Sequence, residues 1–521
     1  MTPRNDDDRG GPLRPDRGRR PYSDRGQAGR GGNPGYGRGG PARPRREHER
    51  GDPSWPAPFD PTREGGSSAP QETRGAPTRE ARGDPTRDTR GDPARAPTGE
   101  EILGEDPEDR DEAEAGAAER GIARPGQASA EVRSVQLDSD EEVTAGPWIF
   151  ARQVRDFIAR PLDGTIVEVL DRSGRFLGHG LYNSASDIRV RMLSRGRRTD
   201  LDKPRQFLLK RLKSADDLRR KWLRLPDVTD AYRVAHAEGD DLPGLIVDRL
   251  GQVLVCEYHS LGFFQLREDI EWALGQLYPG LSTLHRVPNN AARAEGFQPP
   301  EDPRDPGEQT IREHGVEYTV RPSGGHKTGF FCDQRDNRLL VAQHSAGRDV
   351  LDLCCNQGGF ALQAKKHGAR RVRGVDLDEV VLERAEASAQ KNRLEVAFIH
   401  ADAFPFLRYE RSRPENERAQ VVIVDPHKMI GSRQGMEDGM KKYHDLNALA
   451  FESVRGGGLV ASFSCSGLLT EAGFIGMLFQ SARRANRSVR LIQQLGAAPD
   501  HPQRPDFARS RYLKGALLHV E

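Results

Sequence analysis

The last 200 residues of the chain alternate short apolar runs with segments of helical period, and this alternation constrains the fold more than any other feature. Strands are expected at residues 350–354, 372–375, 396–399, 421–424 and 459–463, with helices over 379–392 and 443–454 among them. Repeated strand–helix units give a parallel sheet covered by helices on both faces, with ligands lying at the carboxyl ends of the strands. Asp352, Asp376, Asp402, Asp425 and Cys465 all fall at those ends. Five polar residues sharing one edge mark it as the place for chemistry.

The run 350–360, VLDLCCNQGGF, joins the first of these strands to a turn opened by Gly358 and Gly359. Glycine lets the backbone turn sharply and approach a ligand closely. One crossover later Asp376 ends the next strand, where a carboxylate can hold ribose hydroxyls. Taken alone, the loop also fits any doubly wound sheet with a tight turn. No Gly-x-Gly-x-x-Gly follows any of these strands, and no phosphate-loop Gly-Lys-Ser/Thr is present. S-adenosylmethionine fits better, because it needs an acid for its ribose, a polar contact for its adenine and a tight turn for its methionine. Asp376 and Asp402 could meet the first two needs, and Asp352, Asn356 and Gly358 belong to the turn. The stretch 421–428, VVIVDPHK, sets Asp425 where a substrate base would meet the methyl group. Cys465, in a turn after the neighbouring strand, is either an inert small hydrophobe or a nucleophile.

Hydrophobic residues make up 35% of the 521 and charged residues 31%, so part of the chain is expected to be disordered. That part is residues 1–140, rich in Arg, Gly and Pro and ending in an acidic run, with an eight-residue repeat between 74 and 97. Strand periodicity then begins near Gly146, with a hairpin over 165–181 and a third strand at 188–193, which together suggest a compact β-barrel. From Arg189 to Arg224 there are 14 lysines and arginines against four aspartates, a local excess of +10 in a chain of net +1. Phosphate neutralisation on RNA is its expected use. Residues 232–300 form a second module with no catalytic spacing, expected to be a scaffold, in which His236, Asp240 and Asp241 are read as structural. The five cysteines show no Cys-x-x-Cys spacing, which argues against structural zinc and disulfides and for a reducing cytoplasm. No metal is expected, and no run approaches the roughly 18 apolar residues of a membrane helix.

Residues 325–335 (GHKTGFFCDQR), the glycine turn, Asp425-Pro426 and Ser464-Cys465-Ser466-Gly467 together closely resemble the RlmI-type large-subunit rRNA cytosine-C5 methyltransferases. So do Pro147-Trp148-Ile149-Phe150, residues 241–248 (DLPGLIVD), Asp500-His501-Pro502 and Tyr512-Leu513-Lys514-Gly515. The similarity runs from about residue 146 to 521. It implies an α/β architecture: a PUA-like RNA-binding barrel (141–215), a central α/β module (216–307) and a Rossmann-like class I methyltransferase domain (308–521), after the disordered tail. It further implies S-adenosyl-L-methionine as cofactor, 23S rRNA as partner and a homodimer as one possible assembly. Carried over residue by residue, it makes Cys465 the nucleophile at C6 of cytosine and Asp425 the contact to N3. Asp352, Asn356, Gly358, Asp376, Asp402, Gln334 and Arg335 become cofactor-binding, and Arg191, Arg195, Arg197, Arg198 and Lys428 RNA-binding. A thiol of ordinary pKa, about 8.5, would need nearby positive charge or a helix end to act as a thiolate. One departure stands out: the family's Asp-Pro-Pro-Lys is here Asp425-Pro426-His427-Lys428. His427 could reshape the base pocket, assist proton transfer or simply tolerate the turn, so the departure bears on base identity more than on methyl transfer. Cys332, Cys354 and Cys355 are read as packing residues. Two other functions remain open: methylation of another base atom, such as a guanine nitrogen, or a non-catalytic RNA-binding role.

Overall fold

The computed structural model describes residues 133–139, 146–195, 201, 203–300, 302–323 and 329–521. The expected tail up to residue 132, together with Arg197 and Arg198, lies outside them. Seven strands form the C-terminal sheet: β1 (Asp349–Leu353), β2 (Arg371–Asp376), β3 (Ala397–His400), β4 (Val421–Val424), β5 (Gly458–Ser464), β6 (Val489–Gly496) and β7 (Lys514–Val520). Their order is β3-β2-β1-β4-β5-β7-β6. The first five strands are parallel, while β7 runs antiparallel to both β5 and β6.

Alternation along the strands builds two cores. Leu351, Leu353, Val422 and Val424 face Tyr443, Leu446 and Phe451 of the helix Met436–Ser453 and Phe474 of the helix Glu471–Arg484. Val350, Val421, Ile423 and Phe463 face the other way, onto Phe360 and Ala361 of the helix Gly359–Lys366. Each fully buried aliphatic or aromatic side chain of this kind contributes ~1.5–3 kcal/mol. Where both faces are covered, a strand can be apolar at successive positions, as residues 421–424 are. The helix Met436–Ser453 starts seven residues before the expected 443, because Glu437 and Asp438 favour its first turn despite Gly435 and Gly439.

The N-terminal sheet has six strands, and the expected hairpin is present, with Ile166–Leu170 antiparallel to Phe176–Tyr182. Asp171 closes its turn, accepting from Ser173 Oγ at 2.7 Å and from the Arg175 backbone at 2.8 Å. Order starts earlier than Gly146, since Ser134–Leu137 inserts between Ile166–Leu170 and Val154–Ile158. This strand is only four residues long beside an acidic stretch, too short to declare itself by pattern. In the central module Ala231–His236, Leu245–Leu250, Val253–Tyr258 and Ser282–Arg286 form a four-stranded sheet. The helix Pro204–Asp217 crosses the expected boundary at 215 and buries Phe207, Leu208 and Leu212 in the central core. Leu181 and Leu193 of the N-terminal sheet share that core.

Candidate active site

The turn after β1 is held by its own backbone. Cys354, Asn356 and Gly358 adopt left-handed conformations at φ 56°, 48° and 73°. Gly358 is required twice over, because a Cβ there would stand 2.8 Å from the Phe398 ring as well as at positive φ. Asp352 is wholly buried and its Oδ2 accepts from the Ala361 amide at 3.0 Å, which ties the turn to the following helix. Burial pushes this carboxyl well above its ordinary range, and the charges of Asp425 and Asp376 add to the effect. Its Oδ1 has no partner among the described residues. Half-buried Asp376 accepts from the Asn356 amide at 2.8 Å and the Asp378 amide at 3.0 Å, so β2 and the turn are fastened together. Beyond it Leu377 is 66% exposed, an apolar face beside the strand-end acid. Asp402, exposed after β3, caps the helix Ala403–Glu410 by accepting from Phe404 N at 2.7 Å.

Asp425 follows β4, half-buried, and its Oδ2 accepts from Gln334 Nε2 at 2.9 Å. The Gln334 amide can point only one way, because Asn337 Nδ2 donates to its Oε1 at 2.6 Å. Gln334 is thus a support for Asp425, where the sequence suggested a cofactor contact. Pro426 is buried, Lys428 half-buried and His427 exposed on the same loop.

Cys465 follows β5 in a turn built almost entirely from hydrogen bonds. Ser464 and Ser466 are fully buried on either side of it. Ser466 Oγ meets the Tyr443 hydroxyl at 3.0 Å and accepts from Ile430 N at 3.2 Å. Lys514, at the start of β7, donates to the Ser466 carbonyl at 2.5 Å and to that of Tyr512 at 2.7 Å. Burial pulls its ammonium down to about 8, against the opposing effects of Cys465 and Glu471. The sequence quoted Lys514 only within a motif and gave it no part in the site. A lysine opening a largely apolar strand was the available signal.

Other expected contacts are redirected. Arg335 is 1% exposed and its guanidinium grips Asp500 through bonds of 3.0 and 2.9 Å, so a buried ion pair replaces the expected cofactor contact. Burial alone would raise the Asp500 carboxyl, but His501 and Arg335 hold it well below its ordinary range. Arg191 is likewise buried and donates to Glu295 at 2.9 Å, which removes it from any RNA-facing surface. Other members of the basic excess are paired with carboxylates: Arg219 with Asp240 in the interior, and Arg211 with Asp241 and Lys213 and Lys221 with Asp217 nearer the surface. The counter-charges come largely from outside the stretch or one helical turn away, where a local count cannot see them all. Arg195 is exposed. The thiols of Cys256, Cys332, Cys354 and Cys355 are all pushed up by burial, which fits packing.

A concavity of about 750 Å³ opens on the central module, walled by Arg267, His285, Arg286, Arg293, Arg304 and Asp302 among others. Asp302 is already held by Arg304 at 2.8 Å, so the remaining arginines leave the groove positive. Among the described residues no group of three or more His, Cys, Asp or Glu could hold a metal ion, and no helix is long and apolar enough to cross a membrane.

Residues 144–195 match a family model described as a PUA-like domain, and residues 350–430 match one described as a methyltransferase domain. The ribosomal RNA large subunit methyltransferase I of Aeromonas salmonicida is 35% identical over 385 residues, spanning 72% of this chain and 95% of its own. The protein of that name from Photobacterium profundum is 35% identical, with the same coverage. Among solved structures, a SAM-dependent methyltransferase from Streptococcus mutans superposes with a TM-score of 0.63 at 20% identity, covering 74% of this chain and all of its own. A methyltransferase solved in complex with SAH gives a TM-score of 0.62 at 20% identity, covering 74% of this chain and 99% of its own.

Proposed function

Because the chain belongs to the ribosomal RNA large subunit methyltransferase I family, we propose that it methylates C5 of a cytosine in 23S rRNA through a covalent bond between Cys465 and C6. Its fold is a PUA-like domain followed, after a central α/β module, by a class I methyltransferase domain. The observation that carries the reading is the placement of Asp425 and Cys465 just beyond β4 and β5, neighbouring parallel strands that end at one edge.

The turn after β1 fits S-adenosyl-L-methionine. Asp352 Oδ1 is unpartnered among the described residues. Asp376 keeps acceptor capacity for ribose hydroxyls, exposed Leu377 offers an apolar face to adenine, and Asp402 can take a polar contact. Bound there, the cofactor supplies an electrophilic methyl group.

On the protein side, the Cys465 thiolate forms an Sγ–C6 bond and the C5–C6 double-bond electrons become available at C5. C5 then takes the methyl group, its proton leaves to a base, and the Sγ–C6 bond breaks to restore the ring. Asp425, oriented by Gln334, contacts the N3 edge. The target base must first leave its stack, at a cost of a few kcal/mol. Phosphate contacts along the basic groove of the central module help offset it.

Incubation with RNA carrying 5-azacytosine tests the reading: a covalent protein–RNA adduct is expected, and Cys465→Ala should abolish it. An adduct that survives this substitution would exclude Cys465 as the nucleophile. Mapping 5-methylcytosine in 23S rRNA with and without the gene identifies the target nucleotide.

A further inference from the structure

β7 pairs antiparallel with β5 so that Lys514 lies opposite Ser464, the residue before Cys465. Only 4% of Lys514 is exposed. Its ammonium rests on two carbonyl oxygens, one of them that of Ser466, the residue after Cys465. These are dipoles. Among the described residues no carboxylate forms an ion pair with it, and a buried cation without a counter-charge is strongly unfavourable.

Three titratable groups bear on this ammonium from the elements around it. Glu471, in the first turn of the helix Glu471–Arg484, is exposed, so water screens its charge. Tyr443, from the helix Met436–Ser453, shares the Ser466 hydroxyl and is kept neutral because burial raises its phenol. Cys465 is the third, and a negative charge on it would favour the ammonium.

We propose that Lys514 is a positioning residue that fixes the cysteine turn through the Ser466 carbonyl and stabilises Cys465 as a thiolate. The thiol proton leaves to solvent, and the buried ammonium then has its counter-ion. The two titrations are coupled: the ammonium favours the thiolate, and the thiolate keeps the lysine protonated above the pH at which burial alone would discharge it. The proposal rests on the reading of Cys465 as nucleophile, and it says what makes that thiol reactive near neutral pH.

The test is the rate at which iodoacetamide alkylates Cys465 in the full chain between pH 5.5 and 10, with the modified peptide read by mass spectrometry. No RNA or methyl donor is needed. The wild-type profile should rise well below the ordinary thiol value of about 8.5. Lys514→Gln should move it up by about one unit or more, slowing alkylation at pH 7 roughly tenfold, whereas Lys514→Arg should keep most of the wild-type behaviour. Cys256, fully buried, serves as the folding control and should stay unmodified in each variant. A wild-type midpoint at or above the ordinary value overturns the proposal without any variant, and so does an unshifted profile in folded Lys514→Gln. A shifted profile with no 5-azacytosine adduct would instead overturn the nucleophile reading and leave the lysine–cysteine coupling standing.

Discussion

Gln334 shows how much of a site's precision can rest on one amide. Its Nε2 meets Asp425 and its Oε1 is fixed by Asn337, which also donates to the Gly496 carbonyl at 2.9 Å, so the carboxylate is aimed by a chain anchored on β6. Hydrogen bonds to charged groups are worth ~1.5–3 kcal/mol. Gln334→Leu should therefore lower kcat for methyl transfer by roughly 10- to 100-fold while leaving the affinity for S-adenosyl-L-methionine near that of the wild type, as single-turnover kinetics and calorimetry would show. Membership of Gln334 and Arg335 in one motif was legible in the sequence, but their partners were not. Arg335 reads the same whether it meets a ligand or a carboxylate 165 residues away, as it does here. Asp425 and Cys465 were easier to find, because the ends of apolar runs are visible in one dimension.

At the scale of elements, the parallel strands and the turn after β1 were legible because each is a local pattern: an apolar run, then glycine. The position of β7 was not. It follows β6 in the chain yet sits inside it, between β6 and β5, and such pairing depends on contacts with no local signature. The turn makes its own prediction. Gly358→Ala would put a side chain at φ 73° against Phe398 and within 3.2 Å of the Ala385 Cβ, in a segment already carrying two left-handed non-glycine residues. A loss of about 1–3 kcal/mol of stability is expected from strain of this kind, read by denaturant melting. Because the same turn presents the Asn356 amide to Asp376, cofactor affinity should fall by about tenfold or more in calorimetry.

Across the whole molecule, buried charge joins the modules. Arg219 of the central module pairs with Asp240 and donates to the Asp500 carbonyl, while Asp500 also accepts from the Arg233 amide and from Arg335. In the sequence alone Arg219 counts toward an RNA-facing excess and Arg335 passes for a cofactor contact, since a local count cannot register a partner such as Asp500, 165 residues from Arg335. The basic groove of the central module sets a prediction about salt. Arg267→Ala combined with Arg293→Ala should flatten the dependence of log affinity for a 23S rRNA fragment on log salt by roughly 1.5, from the loss of two phosphate contacts. Filter binding across a salt series would measure it, and an unchanged slope would move the RNA path off the groove. A last consequence follows from β7 lying inside the sheet. Until residues 514–520 emerge from the ribosome, β5 keeps an open edge able to pair with another chain, and Cys465 lacks the ammonium beside it. Synthesis thus supplies the strand that seals the sheet and the lysine proposed to activate Cys465 in the same few residues.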